Sequence, residues 1–262
     1  MFETRSLRSR LVLQLIVTIA VVPFVIPIYA MLSRSFAGSG WGNYAAVLAV
    51  PGFARFFLNS AIVAGGSIVL IYLTTMMAAF GFSKLRVMRK EVYFWMMMAA
   101  LTLPEVVLIA PLYATAVRLE LLGTFWSVIL PIAALQIPFT VLITRGYVDG
   151  IPDSLFEAAR LDGAGTIRMF WSILLPLARP MAVALTVLVL INAWNAYLLP
   201  KVFLTSEDMG VVTLLPEFFR RQYNDDTPKI LAAAVITALP TIVAYVALQK
   251  QFERGMAAGA IE

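Results

Sequence analysis

The sequence predicts an all-α integral membrane protein with six transmembrane helices. Of its 262 residues, 61% are hydrophobic and 13% are charged, and the apolar residues gather into six long runs between polar connectors. Runs of this length cross a bilayer as helices, because backbone polar groups must be satisfied within it. No repeat or soluble linker separates the runs, which predicts one membrane domain over residues 1–262. The predicted spans are 11–32, 56–82, 92–117, 124–144, 181–199 and 230–248.

The composition excludes several classes of function. The chain has no Cys and no His, which removes disulfides, thiolate and imidazole metal sites, catalytic thiols and nucleophiles that depend on a histidine base. We therefore predict no catalytic residue, metal site or cofactor site in this chain. A nucleic-acid-binding protein gathers its cations on one face, whereas these cations flank apolar runs. Membrane lipid, not nucleic acid, is the predicted surrounding.

The first two spans follow from run length and small residues. The run at 11–32 exceeds the 7–15 apolar residues of a signal peptide, and residues 31–35 make a poor cleavage site, so we predict a retained span. In the second span, Gly65, Gly66 and Ser67 allow a neighbouring helix to approach closely. A basic turn follows at 84–90, where four cations in seven residues mark the cytoplasmic side.

The third span contains a polar residue at its centre. Glu105 follows Pro104 there, and a carboxylate at mid-span costs about 2.5–3.5 kcal/mol on an insertion scale. Glu105 is therefore expected to face protein or water. Two interpretations stay open: a buried kink made by Pro104, or a residue of a polar pathway.

The fourth and fifth spans also carry polar residues. Gln136 lies between Pro131 and Pro138 in the fourth span, and Asn192, Trp194 and Asn195 lie near the far end of the fifth. Amides three residues apart lie close together on one helix face. They either line a polar path or hydrogen-bond neighbouring helices. The residues predicted at a translocation path or subunit seam are Glu105, Gln136, Asn192, Trp194 and Asn195.

The loop at 145–179, between spans four and five, predicts two short helices. Ser154 followed three residues later by Glu157 predicts a capping box, and Gly163 suits the left-handed position that ends a helix. These residues predict a helix over 154–162. The second helix is predicted to begin at Thr166 and to end at Pro176, before Pro180 opens the fifth span. Its predicted apolar face consists of Ile167, Phe170, Trp171 and Leu174.

Charge placement predicts the topology. With the amino terminus inside, thirteen of the 20 Lys and Arg lie in inner segments, and the reverse orientation would put this excess outside. Both termini and the loop at 145–179 are therefore predicted to be cytoplasmic.

Three strings in the loop carry a family resemblance. They are Glu157-Ala158-Ala159, Gly163 six positions after the Glu, and Ile173-Leu174-Leu175-Pro176 beginning ten positions after the Gly. The pattern resembles the EAA loop of binding-protein-dependent ABC import permeases, and its fuller string resembles their carbohydrate-uptake branch. Further marks similar to the maltose-type second permease subunit are Asn59-Ser60, Trp194-Asn195 with Tyr197, and Gln251-Phe252 with Gly255 and Gly259. The carboxyl end, 259–262, departs from the ending that is usual in that branch.

The resemblance implies a permease subunit of a sugar or oligosaccharide importer in the inner or plasma membrane of a prokaryote. It implies a second homologous permease subunit, two cytoplasmic ATPase subunits that hold ATP and Mg, and an extracytoplasmic solute-binding protein as partners. The helix at 154–162 would be the coupling helix that lies in a cleft of one ATPase. The residues implied in that coupling are Ser154, Leu155, Phe156, Glu157, Ala158, Ala159, Arg160, Leu161, Asp162, Gly163 and Ala164.

Other classes of function stay open beside this one. An ABC permease for a non-sugar solute would share the loop pattern. A self-contained secondary transporter would also have six spans, but it would not need the EAA spacing. A passive assembly subunit would tolerate loop substitutions without loss of transport. A membrane-embedded protease is disfavoured, because the centres of the spans lack paired aspartates and a Ser-Lys pair.

Overall fold

The computed structural model of the chain describes the backbone of residues 7–220 and 225–258, and the side chains of 9–206, 208–220 and 225–250. Arg5, the tail motif at 251–259 and the carboxyl end at 259–262 lie outside the described side chains.

Helices make up the described secondary structure, and no strand occurs within the described ranges. Short 3₁₀ turns and one π-helical turn, Phe170–Leu174, separate or join the α-helices. The α-helices are α1 (Leu7–Ser35), α2 (Trp41–Leu48), α3 (Phe53–Lys84), α4 (Lys90–Ala99), α5 (Glu105–Arg118), α6 (Trp126–Asp149), α7 (Asp153–Leu161), α8 (Thr166–Met169), α9 (Leu175–Leu177), α10 (Arg179–Trp194), α11 (Leu198–Phe203) and α12 (Thr227–Ala258).

Four described helices, α1, α3, α6 and α12, are long and apolar enough to cross a membrane. Two further pairs of segments pass the same test together but are bent. Lys90–Thr102 meets Glu105–Arg118 at 106°, and Thr166–Leu177 meets Arg179–Trp194 at 77°. The described chain therefore contains four apolar spans, or up to six if each bent pair counts as one.

Two of the predicted spans differ from the observed helices. The third breaks at Leu103 and Pro104, which both have extended backbone angles, because proline disfavours helical geometry in the residue before it. The fifth was predicted to run to residue 199, but α10 ends at Trp194 and residues 196–197 are not helical. The apolar run continued past the helix end, so hydropathy alone placed this boundary wrongly.

The chain divides into two compact units. One comprises Met1–Phe53 with Leu215–Ala238, and the other comprises Ala54–Leu214 with Leu239–Glu262. In the first unit, the connector after α1 is fixed by Asn43, whose Nδ2 donates to the carbonyl oxygens of Ser35 (2.9 Å) and Ala37 (2.8 Å). The apolar window of α1 itself is 0% buried within the chain.

In the second unit, α3 and α6 pack closely. A Cβ added at Gly66 would lie 2.7 Å from Cδ1 of Ile129, so the predicted role of a small residue here is confirmed for Gly66. The hydroxyls of Thr75 and Thr140 form a buried hydrogen bond of 2.7 Å, about two and a half to three turns further along the two helices. Small and hydroxyl residues thus hold the two helices together where apolar attraction between helices is weak.

A hydrophobic core in the same unit gathers the ends of three long helices around the predicted loop. Phe80 of α3 lies 5.9 Å from Phe156 of α7 and 5.8 Å from Phe170, measured between ring centroids. The same cluster includes Met181 and Leu185 of α10, each 1% exposed. The loop is therefore part of the core and does not merely tether two spans.

The predicted apolar face of the second loop helix is wrong in half of its members. Phe170 and Leu174 are buried, but Ile167 is 77% exposed and Trp171 is 56% exposed. The chain forms a π-helical turn over Phe170–Leu174, and a wider turn changes which residues share a face. Met169 is buried instead.

The end of that helix was also predicted too early. Pro176 stays within the helical segment α9, and the bend of 77° lies between Leu177 and Arg179.

Candidate functional site

Helix α7 presents two faces of different character. Asp153, Phe156 and Arg160, spaced three and four residues apart, all contact the carboxyl end of α3. The opposite face is exposed and consists of Ser154, Glu157, Ala158 and Leu161. One face of α7 is thus built into the protein while the other is open.

Lys84, the last residue of α3, holds the start of α7. Its side chain is only 4% exposed, and its Nζ donates to the Ile151 carbonyl oxygen (2.6 Å) and to Oδ1 of Asp153 (2.7 Å). A longer contact of 3.4 Å reaches the Asp149 carbonyl oxygen. Arg160 of α7 adds a second link to α3, because its Nη2 donates to the Lys84 carbonyl oxygen at 3.0 Å.

The predicted capping box is wrong. Helix α7 begins at Asp153, its N-cap is Pro152, and no side chain caps it. Ser154 and Glu157 are exposed residues of the helix itself. Pro152 has no acceptor in its side chain, and the helix start is fixed instead by the tertiary contacts of Lys84 with the preceding carbonyl and with Asp153.

The predicted left-handed Gly163 is confirmed, with φ +79°. Its N–H donates to the Arg160 carbonyl oxygen (3.0 Å), and the N–H of Ala164 donates to the Ala159 carbonyl oxygen (2.8 Å). This pair of hydrogen bonds is the Schellman ending of a helix. The helix therefore ends at a defined residue, and its exposed face has a fixed length.

The two alanines of the loop motif point differently. Ala158 is exposed, whereas Ala159 is partly buried and packs against the core cluster. Of the two alanines, only Ala158 therefore contributes to the open face of α7.

The ion pair between Lys84 and Asp153 depends on pH in a defined direction. The hydrogen bond and charge of Lys84 lower the pKa of Asp153. Its contribution to stability is present above the ordinary carboxyl pKa of about 4 and is lost as the pH falls through the lowered value. The carboxylate therefore stays charged at neutral pH.

A second ionic contact at the same end of the molecule joins α4 to α6. Arg145 binds Glu91 through two hydrogen bonds, of 2.6 and 3.0 Å, and its Cζ lies 4.3 Å from the ring centroid of Phe94. Sequence reasoning missed Lys84 and Arg145 as structural residues. Both were counted only as topology markers, because their acidic partners lie more than fifty residues away in the chain.

A concave cavity of about 460 Å³ lies at the other end of α10. Four of the five polar residues predicted at a path or seam line it: Glu105, Gln136, Asn192 and Asn195. Trp194 does not line it; its side chain is 8% exposed and packs 6.1 Å from the ring of Phe57. Glu105 is exposed in this chain, so the buried-kink interpretation is not observed.

The amides of Asn192 and Asn195 bond to their own helix. Nδ2 of Asn192 donates to the Leu188 carbonyl oxygen (3.0 Å), and Nδ2 of Asn195 donates to the Ile191 carbonyl oxygen (2.8 Å). Each bond returns to α10, so neither of them joins two helices, and the polar-path interpretation of the pair stays open.

The motif Asn59-Ser60 fixes a loop at the opposite end of α3. Nδ2 of Asn59 donates to the carbonyl oxygens of Asp208 and Gly210, both at 2.9 Å, and Oγ of Ser60 accepts the N–H of Val212 at 2.9 Å. Gly210 is required there, because a Cβ would lie 2.4 Å from the ring of Phe56.

Residues 71–258 match the family described as "Binding-protein-dependent transport system inner membrane component". The chain is 26% identical over 274 residues to the melibiose/raffinose/stachyose import permease protein MelC of Bacillus subtilis, covering 99% of this chain and 98% of that one. It is 32% identical to the sn-glycerol-3-phosphate transport system permease protein UgpE of Shigella flexneri, covering 82% and 76%. A bacterial ABC transporter involved in the import of the acidic polysaccharide alginate has the same fold, with a TM-score of 0.80, 22% identity, and coverage of 96% and 99%.

We expect Lys84→Met to loosen α7. The change leaves the buried carbonyl of Ile151 without its donor, which costs about 1–3 kcal/mol, so the unfolding temperature of the purified protein in detergent should fall. Arg168→Met is the matched control, because Arg168 is exposed and surface changes usually stay within about 0.5 kcal/mol. Equal unfolding temperatures for the two variants would contradict the role of Lys84.

Two substitutions at Gly163 should loosen the loop to different degrees. Gly163→Ala meets no atom within 4 Å and carries only the left-handed penalty of about 1–2 kcal/mol, whereas Gly163→Pro cannot adopt φ +79° and loses the bond to Arg160. Protease cleavage of the loop should therefore increase slightly in Gly163→Ala and strongly in Gly163→Pro. Equal cleavage rates would show that the loop does not depend on this ending.

Proposed function

The chain belongs to the family of binding-protein-dependent transport system inner membrane components, and we propose that it is the permease subunit of an ATP-driven importer for a sugar or oligosaccharide. A member of this family is a transport component, so ATP and Mg act in separate ATPase subunits. The proposed assembly pairs this chain with a second homologous permease, two ATPases and an extracytoplasmic binding protein.

The observation that carries this proposal is the two-sided character of α7. Its inner face is fixed to α3 through Lys84, Phe156 and Arg160, while its outer face is open and ends at a defined Gly163. A helix of this kind can receive a force on one side and pass it to the spans on the other. We propose that residues 153–164, the EAA loop helix with its ending, form the coupling helix that docks on one ATPase.

The mechanism that fits this geometry is alternating access. Closure of the ATPases would move α7, and the spans would rock between inward-open and outward-open states. Driving such a change from 1:99 to 99:1 takes about 5.5 kcal/mol of differential binding. The core around Phe156 and Phe80 supports this role, since a closely packed contact transmits displacement without absorbing it.

The membrane topology that we propose has six spans, with each bent pair crossing once and both termini cytoplasmic. The distribution of Lys and Arg supports it, and it places α7 and the basic turn after α3 on one side. Their contact through Lys84 requires that they share that side. The proposed location is the inner or plasma membrane of a prokaryote.

The proposed cargo follows from relatives and from the cavity. A permease for melibiose, raffinose and stachyose resembles this chain over nearly its full length, and the cavity offers amide and carboxylate groups suited to hydroxyls. The likeness to a glycerol-3-phosphate permease favours the second candidate, an importer of a non-sugar solute. A self-contained secondary transporter would have no use for an open, anchored loop helix.

Bulk on the open face of α7 should uncouple transport. In proteoliposomes that contain the full importer, Ala158→Trp should reduce ATP-driven uptake at least about tenfold. The reason is that the indole would displace α7 from the cleft of the ATPase in which we propose that it docks. Ala158→Ser keeps the side chain small and should transport normally. Membrane insertion and the unfolding temperature should not change in either variant. Normal uptake by Ala158→Trp would refute the docking of this face.

Single cysteines should report the topology directly, since the chain has no native Cys. We expect Arg168→Cys to react with an impermeant maleimide only after the cells are permeabilised, and Ser39→Cys to react in intact cells. Both positions are exposed. The opposite pattern would reverse the orientation, and labelling of both in intact cells would exclude the three crossings that the proposed topology places between them.

A further inference from the structure

Two asparagines of the cavity wall bond the carbonyls of α10 through their amide nitrogens and not through their amide oxygens. Each asparagine of the pair uses its Nδ2 to bond a helix carbonyl four residues earlier, Asn192 to Leu188 and Asn195 to Ile191. A carbonyl oxygen only accepts hydrogen bonds, so the nitrogen of each amide must face it. The Oδ1 atom of each side chain is then directed away from the helix carbonyl.

Gln136 adds a third amide acceptor. Its Oε1 is buried and has no hydrogen-bond partner among the described residues, and the residue lines the same cavity. A buried acceptor without a hydrogen bond is unfavourable, because it has lost its contact with water. A donor from a bound molecule would remove that cost.

Among the described residues that line the cavity, Glu105 alone carries a formal charge. It is exposed, and no described residue forms an ion pair or hydrogen bond with its carboxylate. A cation lies near the cavity: Nζ of Lys201 donates to the hydroxyl of Tyr197 at 2.6 Å. Lys201 is not a lining residue, so its ammonium lies outside the cavity wall, whereas Glu105 is part of that wall.

From this arrangement we propose that the cavity selects sugars that are rich in hydrogen-bond donors and are either uncharged or cationic. It disfavours anionic sugars, such as uronates and sugar phosphates. Three amide oxygens and one carboxylate offer acceptors to hydroxyl or ammonium groups. An anionic sugar would bring further acceptors and a like charge against Glu105. The volume of about 460 Å³ falls within the usual range of small-molecule sites. The inference rests on the proposed import function and narrows its cargo.

The sign of the electrostatic potential in the cavity can be measured without knowing the cargo. Val106 lines the cavity and is 69% exposed, so Val106→Cys in the assembled, purified importer provides a reporter thiol. This thiol is treated with two methanethiosulfonate reagents, one carrying a trimethylammonium group and the other a sulfonate. Each reaction rate is divided by the rate of the same reagent with free 2-mercaptoethanol, which corrects for the intrinsic reactivity of the reagent. We expect the cationic reagent to react faster by on the order of tenfold. Adding Glu105→Gln should bring the ratio close to one, whereas Glu120→Gln, two residues beyond the end of α5, should leave it unchanged.

Three probe sugars extend the test to selection. Melibiose and glucosamine at high concentration should slow the modification of Val106→Cys, and glucuronate at the same concentration should not. A normalised ratio near one without any change at Glu105, or better protection by glucuronate than by melibiose, would overturn the inference. These rates are measured without transport, so a failure of this inference can be distinguished from a failure of the proposed function. The proposed function has its own test, which is the loss of uptake in Ala158→Trp.

Discussion

The organisation of this protein around its loop depends on one buried ammonium group. The side chain of Lys84 is 4% exposed, and a cation withdrawn from water must be surrounded by acceptors. The carbonyl oxygen of Ile151 and the carboxylate of Asp153 meet that requirement only if α7 begins directly beside the end of α3. The need to solvate one charge thus fixes where a helix starts 69 residues later in the chain. Phe156 then buries the first turn against Phe80, and its ring lies 5.7 Å from the same ammonium.

A second constraint concerns helices that break within apolar segments. Non-helical backbone at membrane depth is tolerated where it is covered by protein or lines a water-filled cavity. Under the proposed topology, the break at Pro104 and the end of α10 at Trp194 both satisfy this rule, because Glu105, Asn195 and Tyr197 line the same cavity. The polar backbone and the polar side chains are therefore concentrated in one place. The cavity is a direct consequence of where two helices stop.

Sequence rules succeeded where the cause was local and failed where it was tertiary. Gly163 was predictable because a left-handed residue after a helix favours glycine whatever surrounds it. The capping box failed because Lys84, distant in sequence, fixes the start of α7 instead, and the face containing Ile167 and Trp171 failed because a π-helical turn changes the spacing. Four residues that were singled out for their polarity within three predicted spans line one cavity, and their role in a path or seam stays a prediction. Trp194 was grouped with them by proximity in sequence, although it points elsewhere.

Helix α10 connects the hydrophobic core around Phe156 to the cavity. Met181 and Leu185, in its first half, belong to the core that surrounds Phe156, and Asn192 in its last turns belongs to the cavity wall. Its 16 residues form one unbroken rod of about 24 Å. A displacement of α7 presses on a closely packed core, which deforms little, so the first half of α10 must move with it. Because the rod is continuous, the amides at its far end move as well, and under the proposed function the ATPase changes the shape of the cavity without any contact with the cargo.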